Sequence, residues 1–166
     1  RPIILIGAGG VVNDAHLPAY AKANFKVAGI YDLHSERSRQ MAAKFGIPTV
    51  YNSLTEVLSS AGAVFDVAVP PDQLPSVLEQ LADGSVVLMQ KPMGTNLEEA
   101  RQIVSLCRKK HLIAAESVHV SVVSTGAHRC RRIAHIEDLQ PGLAGGRTGI
   151  AILHRHAEKR TALKSR

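Results

Sequence analysis

At 166 residues, 45% of them hydrophobic, the chain is long enough for one domain with a real core, and no apolar run approaches the roughly 20 residues that span a bilayer. Its formal charge of +6 lies entirely in residues 117–166, which hold nine basic and three acidic residues, whereas 1–116 hold eleven of each. The basic character therefore describes a tail, and neither a nucleic-acid module nor a membrane protein is expected.

The chain opens on "IILI" (3–6), a short apolar run that predicts a buried parallel strand, followed by the glycine-rich "GAGGVV" (7–12). The opening run is glycine-broken and has no basic leader, so no signal peptide is expected. Asn13-Asp14 suit the cap or first turn of a following helix, which Pro18 then limits. A second strand over 25–32 ends in Asp32. A helix over 35–46 has Ser35 as N-cap, Met41, Ala42 and Phe45 on its apolar face, and Gly46 as its stop. A brief strand (49–51) leads to a helix (53–62) opened by a capping box, Ser53 with Glu56. Next come a strand (64–69) stopped by Pro70-Pro71, a helix (72–84) with Pro75 in its first turn, and a strand (85–90) before Lys91-Pro92. The helix over 96–111 is capped by Asn96, with glutamates in its first turn and Arg108, Lys109 and Lys110 in its last, and a strand (112–116) follows. Alternating strands and helices predict an α/β fold, a doubly wound parallel sheet covered on both faces. After 116 the rhythm breaks. The tail reads as a strand (117–123), a helix (127–139), a loop (140–149) and a basic end with little to bury.

Three stretches carry candidate chemistry. In Gly7-Ala8-Gly9-Gly10-Val11-Val12, Gly7 suits the tight turn after the strand and Gly9 suits close approach of the backbone to a pyrophosphate on the helix N-terminus. Val12 stands where the fingerprint has a third glycine, a position that serves packing more than phosphate contact. Asp32, 25 residues after Gly7, is placed for ribose hydroxyls, with Leu33 beside it. A carboxylate there favours NAD. Arg37 could reach a 2′-phosphate, which keeps NADP as the alternative, and it reads otherwise as a solvated helix residue. The second stretch, "VPPDQL" (69–74), contributes Val69, Pro70, Pro71 and Leu74 at a strand's carboxyl end, or is only a strand stop and helix start. The third, "MQKPM" (89–93), sets Lys91 and Pro92 on the same crevice, where a lysine can position a hydroxyl or assist proton transfer. A cis Lys91–Pro92 bond is compatible with the sequence. No metal site is expected.

Together, "GAGGVVNDAHLPAY", "IYDLHSERSRQMAAKFGI", "VAVPPDQL" and "QKPMGTNLEEARQIV" resemble the N-terminal domain of the Gfo/Idh/MocA family, over about Ile3 to Glu116. The resemblance implies a Rossmann fold that binds NAD or NADP, and oxidation or reduction of sugars, polyols or related compounds. It implies cofactor contacts at Gly7, Gly9, Asp32, Pro70 and Pro71, and a catalytic role for Lys91 on the substrate or nicotinamide side. The candidate cofactor set extends to Gly10, Val11, Val12, Leu33, Arg37, Val69, Leu74, Lys91 and Pro92. Departures are Gln90, where the family usually has Glu, and Leu74, where it often has His. His16, in the "HLP" segment, is expected to be a surface or packing histidine.

The family's second domain, with its Asp/His pair, has no clear counterpart. "GGRTGIAILHRH" (145–156) is similar in part to the family's Gly-Gly…Asp…His segment but has no Asp, so His154 and His156 receive no role. Residues 1–116 are thus expected to be the dinucleotide domain, and 117–166 a truncated or atypical remnant of the substrate domain, or the product of a frame slip. Cys107 and Cys130 make no disulfide framework, and reduced thiols in a cytoplasmic protein are expected. The functions open to the sequence are an NAD(P)-dependent oxidoreductase, alone or as a homo-oligomer, and a cofactor-binding regulator or partner subunit without chemistry.

Overall fold

The computed structural model of the protein describes residues 1–117 and 150–152. β1 (Ile3–Ile6) consists of four buried aliphatic residues, so it has no face to give to water and must lie inside a covered sheet. It pairs in parallel with β2 (Val27–Tyr31) on one side and β4 (Val64–Val67) on the other. β3 (Thr49–Val50) extends the sheet beyond β2, and β5 (Val86–Gln90) and β6 (Ile113–Ser117) extend it beyond β4. The order β3-β2-β1-β4-β5-β6, all parallel, is the doubly wound arrangement the sequence predicts. A seventh strand, β7 (Ile150–Ile152), pairs antiparallel with β6, with Ile150 opposite Ser117 and Ile152 opposite Ala115. The strand, helix and loop expected over 118–149, and the basic end after 152, lie outside the described residues.

The alternation of β1 divides the core. Ile4 and Ile6 join Phe65, Val67, Val87 and Met89 against α4 (Leu74–Gln80) and α5 (Leu97–Lys109). Ile3 and Leu5 join Ile30 against α1 (Leu17–Lys22) and α2 (Ser35–Phe45). Each fully buried aliphatic side chain contributes about 1.5–3 kcal/mol relative to exposure. Cys107 is a free, buried thiol in the first of these cores, and burial pushes its pKa up. Among the described residues no helix is long and apolar enough to cross a membrane.

Local signals mostly hold. Gly46 closes α2 at φ 67°, a left-handed conformation that glycine adopts without strain. Ser53 Oγ accepts the Glu56 N–H at 3.2 Å to open α3 (Leu54–Leu58), and the Glu56 carboxylate accepts the Asn52 N–H at 2.8 Å. Asn96 Oδ1 accepts the Glu99 N–H at 3.0 Å at the start of α5. The Lys91–Pro92 bond is cis.

One expectation is corrected. Ser35 is not the cap of α2; that position falls on His34, whose N–H donates to Asp32 Oδ1 at 2.8 Å. Asn13 and Asp14 take the second of the two places expected for them, the first turn of the helix, inside a π-helical turn, Val12–His16, and do not cap it. The helix starts earlier, with the Val12 and Asn13 N–H groups donating to the Gly9 carbonyl. The wide turn has a local cause. Pro18 has no N–H to continue the α-helical ladder, and the Leu17 N–H before it reaches back five residues to the Val12 carbonyl.

Leu78 is fully buried between α4 and the sheet. Leu78→Ala should cost about 2–5 kcal/mol of stability, read as a lower urea midpoint at unchanged slope.

Candidate functional site

The sheet order reverses between β1 and β4, and crevices beyond the carboxyl ends of strands at such a point receive ligands in folds of this kind. The predicted stretches all emerge there: Gly7–Val12 after β1, Asp32 after β2, Val69–Pro71 after β4 and Lys91 after β5. The glycine turn is tied to both neighbouring strands. The Gly7 N–H donates to the Tyr31 carbonyl at 2.8 Å, and the Ala68 N–H donates to the Ile6 carbonyl at 2.8 Å.

Gly7 and Gly9 stand in different surroundings. Gly7 has φ 107°, and a Cβ on it would strike the Ala68 carbonyl oxygen. A Cβ on Gly9 would meet nothing within 4 Å. The protein itself therefore does not demand glycine at position 9. Its bare backbone faces open space beside the start of a helix, which is the cradle that close approach of a pyrophosphate requires.

Asp32 is half-buried, and its carboxylate is engaged by the protein. Oδ2 accepts the Ala8 N–H of the glycine turn at 2.7 Å, while Oδ1 accepts the His34 N–H. It fixes the turn to the end of β2 and keeps lone pairs for further donors. Gly9, Gly10 and Arg37 come together, with Asn13, Gln40 and Lys44, around a cavity of about 330 Å³. Arg37 thus lines a cleft beside the glycine turn, and Lys44 Nζ is held there by Asn13 Oδ1 at 2.9 Å. Leu33 is 73% exposed. Pro70, Lys91 and Pro92 are exposed, and Val11, Val69 and Pro71 are half-buried. Val12 and Leu74 point into the two cores, so at these positions only the backbone faces the crevice.

A buried polar network under this crevice is the feature the sequence reading missed. Asp66, on β4, is wholly inaccessible. Its Oδ2 accepts from Tyr20 Oη at 2.8 Å and from His16 Nδ1 at 2.7 Å. His16 Nε2 meets Gln90 Nε2 at 2.9 Å, and Gln90 Oε1 accepts from Ser117 Oγ at 2.7 Å. Burial, and then the neighbouring Asp66 carboxylate, push the Tyr20 pKa far above its ordinary value. His16 is a packing histidine, as expected, but one held by specific partners. The available signal was Asp66 itself, a lone acid within the apolar strand "VFDVAV", which needs buried donors wherever it folds.

The fold and the glycine turn define a dinucleotide-binding α/β domain. Residues 2–118 match the oxidoreductase family with an NAD-binding Rossmann fold, Gfo/Idh/MocA, and the chain belongs to that family. It is 29% identical over 118 residues to trans-1,2-dihydrobenzene-1,2-diol dehydrogenase of Mus musculus, covering 69% of this chain and 35% of that protein. The Saccharomyces cerevisiae protein YMR315W is 29% identical over 114 residues, covering 65% of this chain and 33% of that protein. Among solved structures, the WlbA dehydrogenase of Bordetella pertussis in complex with NADH and UDP-GlcNAcA has a TM-score of 0.62 at 23% identity, covering 70% of this chain and 36% of that one. KijD10, a 3-ketoreductase of Actinomadura kijaniata solved with NADP and TDP-benzene, has a TM-score of 0.57 at 21% identity, covering 69% of this chain and 36% of that one. The chain spans about a third of the length of these relatives.

The two glycines should separate in a melting experiment. Gly7→Ala should lower stability by about 1–3 kcal/mol or more through its backbone strain and its clash, whereas Gly9→Ala should melt close to the parent.

Proposed function

We propose that this chain is the cofactor-binding part of an oxidoreductase that transfers a hydride between NAD, with NADP as the alternative, and a sugar, polyol or related hydroxyl compound. The observation that carries this reading is the open space over the Gly9 backbone, at a helix start, between Asp32 on one side and Lys91 on the other. Gly7 and Gly9–Val12 would hold the pyrophosphate, and Asp32 the adenosine ribose with Leu33 against the base. Val69, Pro70, Pro71, Leu74 and Pro92 would form the wall near the nicotinamide. Residues 1–116 form the dinucleotide domain in this reading, and 117–166 stand where relatives continue into a substrate domain.

When bound, the nicotinamide supplies the hydride chemistry. The chain's own contribution is Lys91, which is exposed and can hold the substrate oxygen: its ammonium gives a proton to that oxygen as the C–H bond forms, and its neutral amine takes the hydroxyl proton as the C–H bond breaks. A sugar-related substrate is supported by the nucleotide-sugar relative solved with NADH and UDP-GlcNAcA. NADP is supported by Arg37 and Lys44 on the cleft beside the glycine turn, which offers two cations to a 2′-phosphate. A reduced, cytoplasmic setting goes with this reading, in which Cys107, free among the described residues, is a buried thiol.

Titration calorimetry of the full chain with NAD and with NADP tests the binding site. Gly9→Val should abolish binding while the thermal transition stays near that of the parent; undiminished affinity would remove the pyrophosphate assignment. Asp32→Ala should weaken NAD binding about 10- to 100-fold, the loss of charge-assisted hydrogen bonds to the ribose and the turn. Arg37→Ala should weaken NADP selectively if the cleft takes the extra phosphate. Absorbance of NADH with a panel of sugars and polyols reads turnover. Where it occurs, Lys91→Ala should reduce it about 100-fold or more with NAD affinity retained. Binding without turnover is the result expected of a regulator or partner subunit.

A further inference from the structure

Gln90 ends β5 and directly precedes Lys91. Its Oε1 accepts the Lys91 backbone N–H at 2.7 Å and the Ser117 hydroxyl at 2.7 Å. A backbone N–H can only donate, so the amide atom facing it must be the oxygen. The reversed amide would set an NH2 group against that N–H. Gln90 Nε2 is therefore the atom turned toward His16 Nε2, 2.9 Å away. An amide NH2 can only donate, so that ring nitrogen is bare and accepts. The ring proton then sits on Nδ1, which donates to Asp66 Oδ2 at 2.7 Å, beside the Tyr20 hydroxyl. One backbone N–H thus fixes the direction of every hydrogen bond from β6 to β4.

We propose that Gln90 is a positioning residue that holds His16 as the neutral, Nδ1-protonated tautomer and pins the main chain of Lys91 to the ends of β5 and β6. A primary amide neither takes nor gives a proton in the physiological range. The line of titratable side chains that begins at Asp66 and His16 therefore stops at Gln90 and is insulated from the lysine beyond it. A carboxylate in this place would accept from His16 Nε2 instead of donating to it, which reverses the pattern.

Long-range proton–nitrogen correlation spectra of the full chain at neutral pH read this directly, with His16→Asn used to assign the ring. His16 Nε2 should show the shift of a bare nitrogen and Nδ1 that of a protonated one. In Gln90→Glu the Nε2 signal should move to that of a protonated nitrogen. In Gln90→Met, which keeps length but has no amide, the Lys91 amide should exchange with solvent about tenfold faster. A protonated Nε2 in the parent, or an Nε2 signal that Gln90→Glu leaves in place, overturns the tautomer assignment. Unchanged exchange at Lys91 overturns the anchoring. The parent spectrum decides the tautomer even if a variant does not fold. The importance of Lys91 rests on the oxidoreductase reading, but the spectra do not, so the two can fail separately.

Discussion

The structure depends on a carboxylate placed where carboxylates are costly. Asp66 lies in a four-residue strand between β1 and β5, with no solvent contact. An unpaired ionised group in such surroundings would be unfavourable by several kcal/mol after relaxation, so its donors are obligatory. Both come from the helical segment that follows the glycine turn: His16 at the end of the π turn and Tyr20 one turn on. The same segment begins at Gly9. These hydrogen bonds, both to Oδ2 while Oδ1 is buried without a partner among the described residues, set the direction in which the helix leaves the turn, and with it the direction in which Val11 and Val12 present their backbone to the crevice.

Asp32 does for the other side of the turn what Asp66 does beneath it. Its two oxygens take backbone donors from the glycine turn and from the start of α2, so the carboxylate is part of the turn before any ligand arrives. Such prior engagement lowers the ordering cost of binding in the proposed reading, because the group assigned to the ribose is already fixed. The neighbouring cleft, lined by Arg37 and Lys44, supplies an opposing field on the same side. In the proposed reading, cofactor preference is a difference between these two contributions; Asp32 and Arg37 could be weighed from the sequence, and the fold adds Lys44 to the cleft.

The elements visible in the sequence were those whose physics is local. Ile3–Ile6 announces a strand buried on both faces by having no polar residue, and Ser53, Asn96 and Gly46 announce helix ends by chemistry that acts within three or four residues. The glycine turn and Asp32 were legible through spacing. What was not legible is set by contacts between distant positions. His16 and Asp66 are 50 residues apart, and His16 and Gln90 are 74 apart; nothing near His16 in the sequence distinguishes it from a surface residue. The cap read at Ser35 failed for a related reason, and of the two places open to Asn13-Asp14 the first turn won over the cap. Each lies within reach of a stronger backbone arrangement, the helix start at Gly9 in one case and the Asp32 turn in the other.

Val12 brings these constraints together. Glycine at the third place of the dinucleotide fingerprint lets the helix lie close on the sheet, and a valine there adds a side chain between them. That side chain is fully buried, packed with Leu5, Leu17 and Ile30, so the space it needs is made rather than borrowed from the ligand side. The π turn begins at this same residue, and the bond from the Leu17 N–H back to its carbonyl widens the helix where an α-helical turn would be narrower. The widened turn ends on His16, which carries the helix to Asp66. The substitution at the fingerprint and the polar network under the crevice are thus parts of one local solution. The helix stands off the sheet on Val12 and is pinned back to it through His16 and Tyr20, which leaves open space over Gly9, the face of the turn proposed for the phosphates.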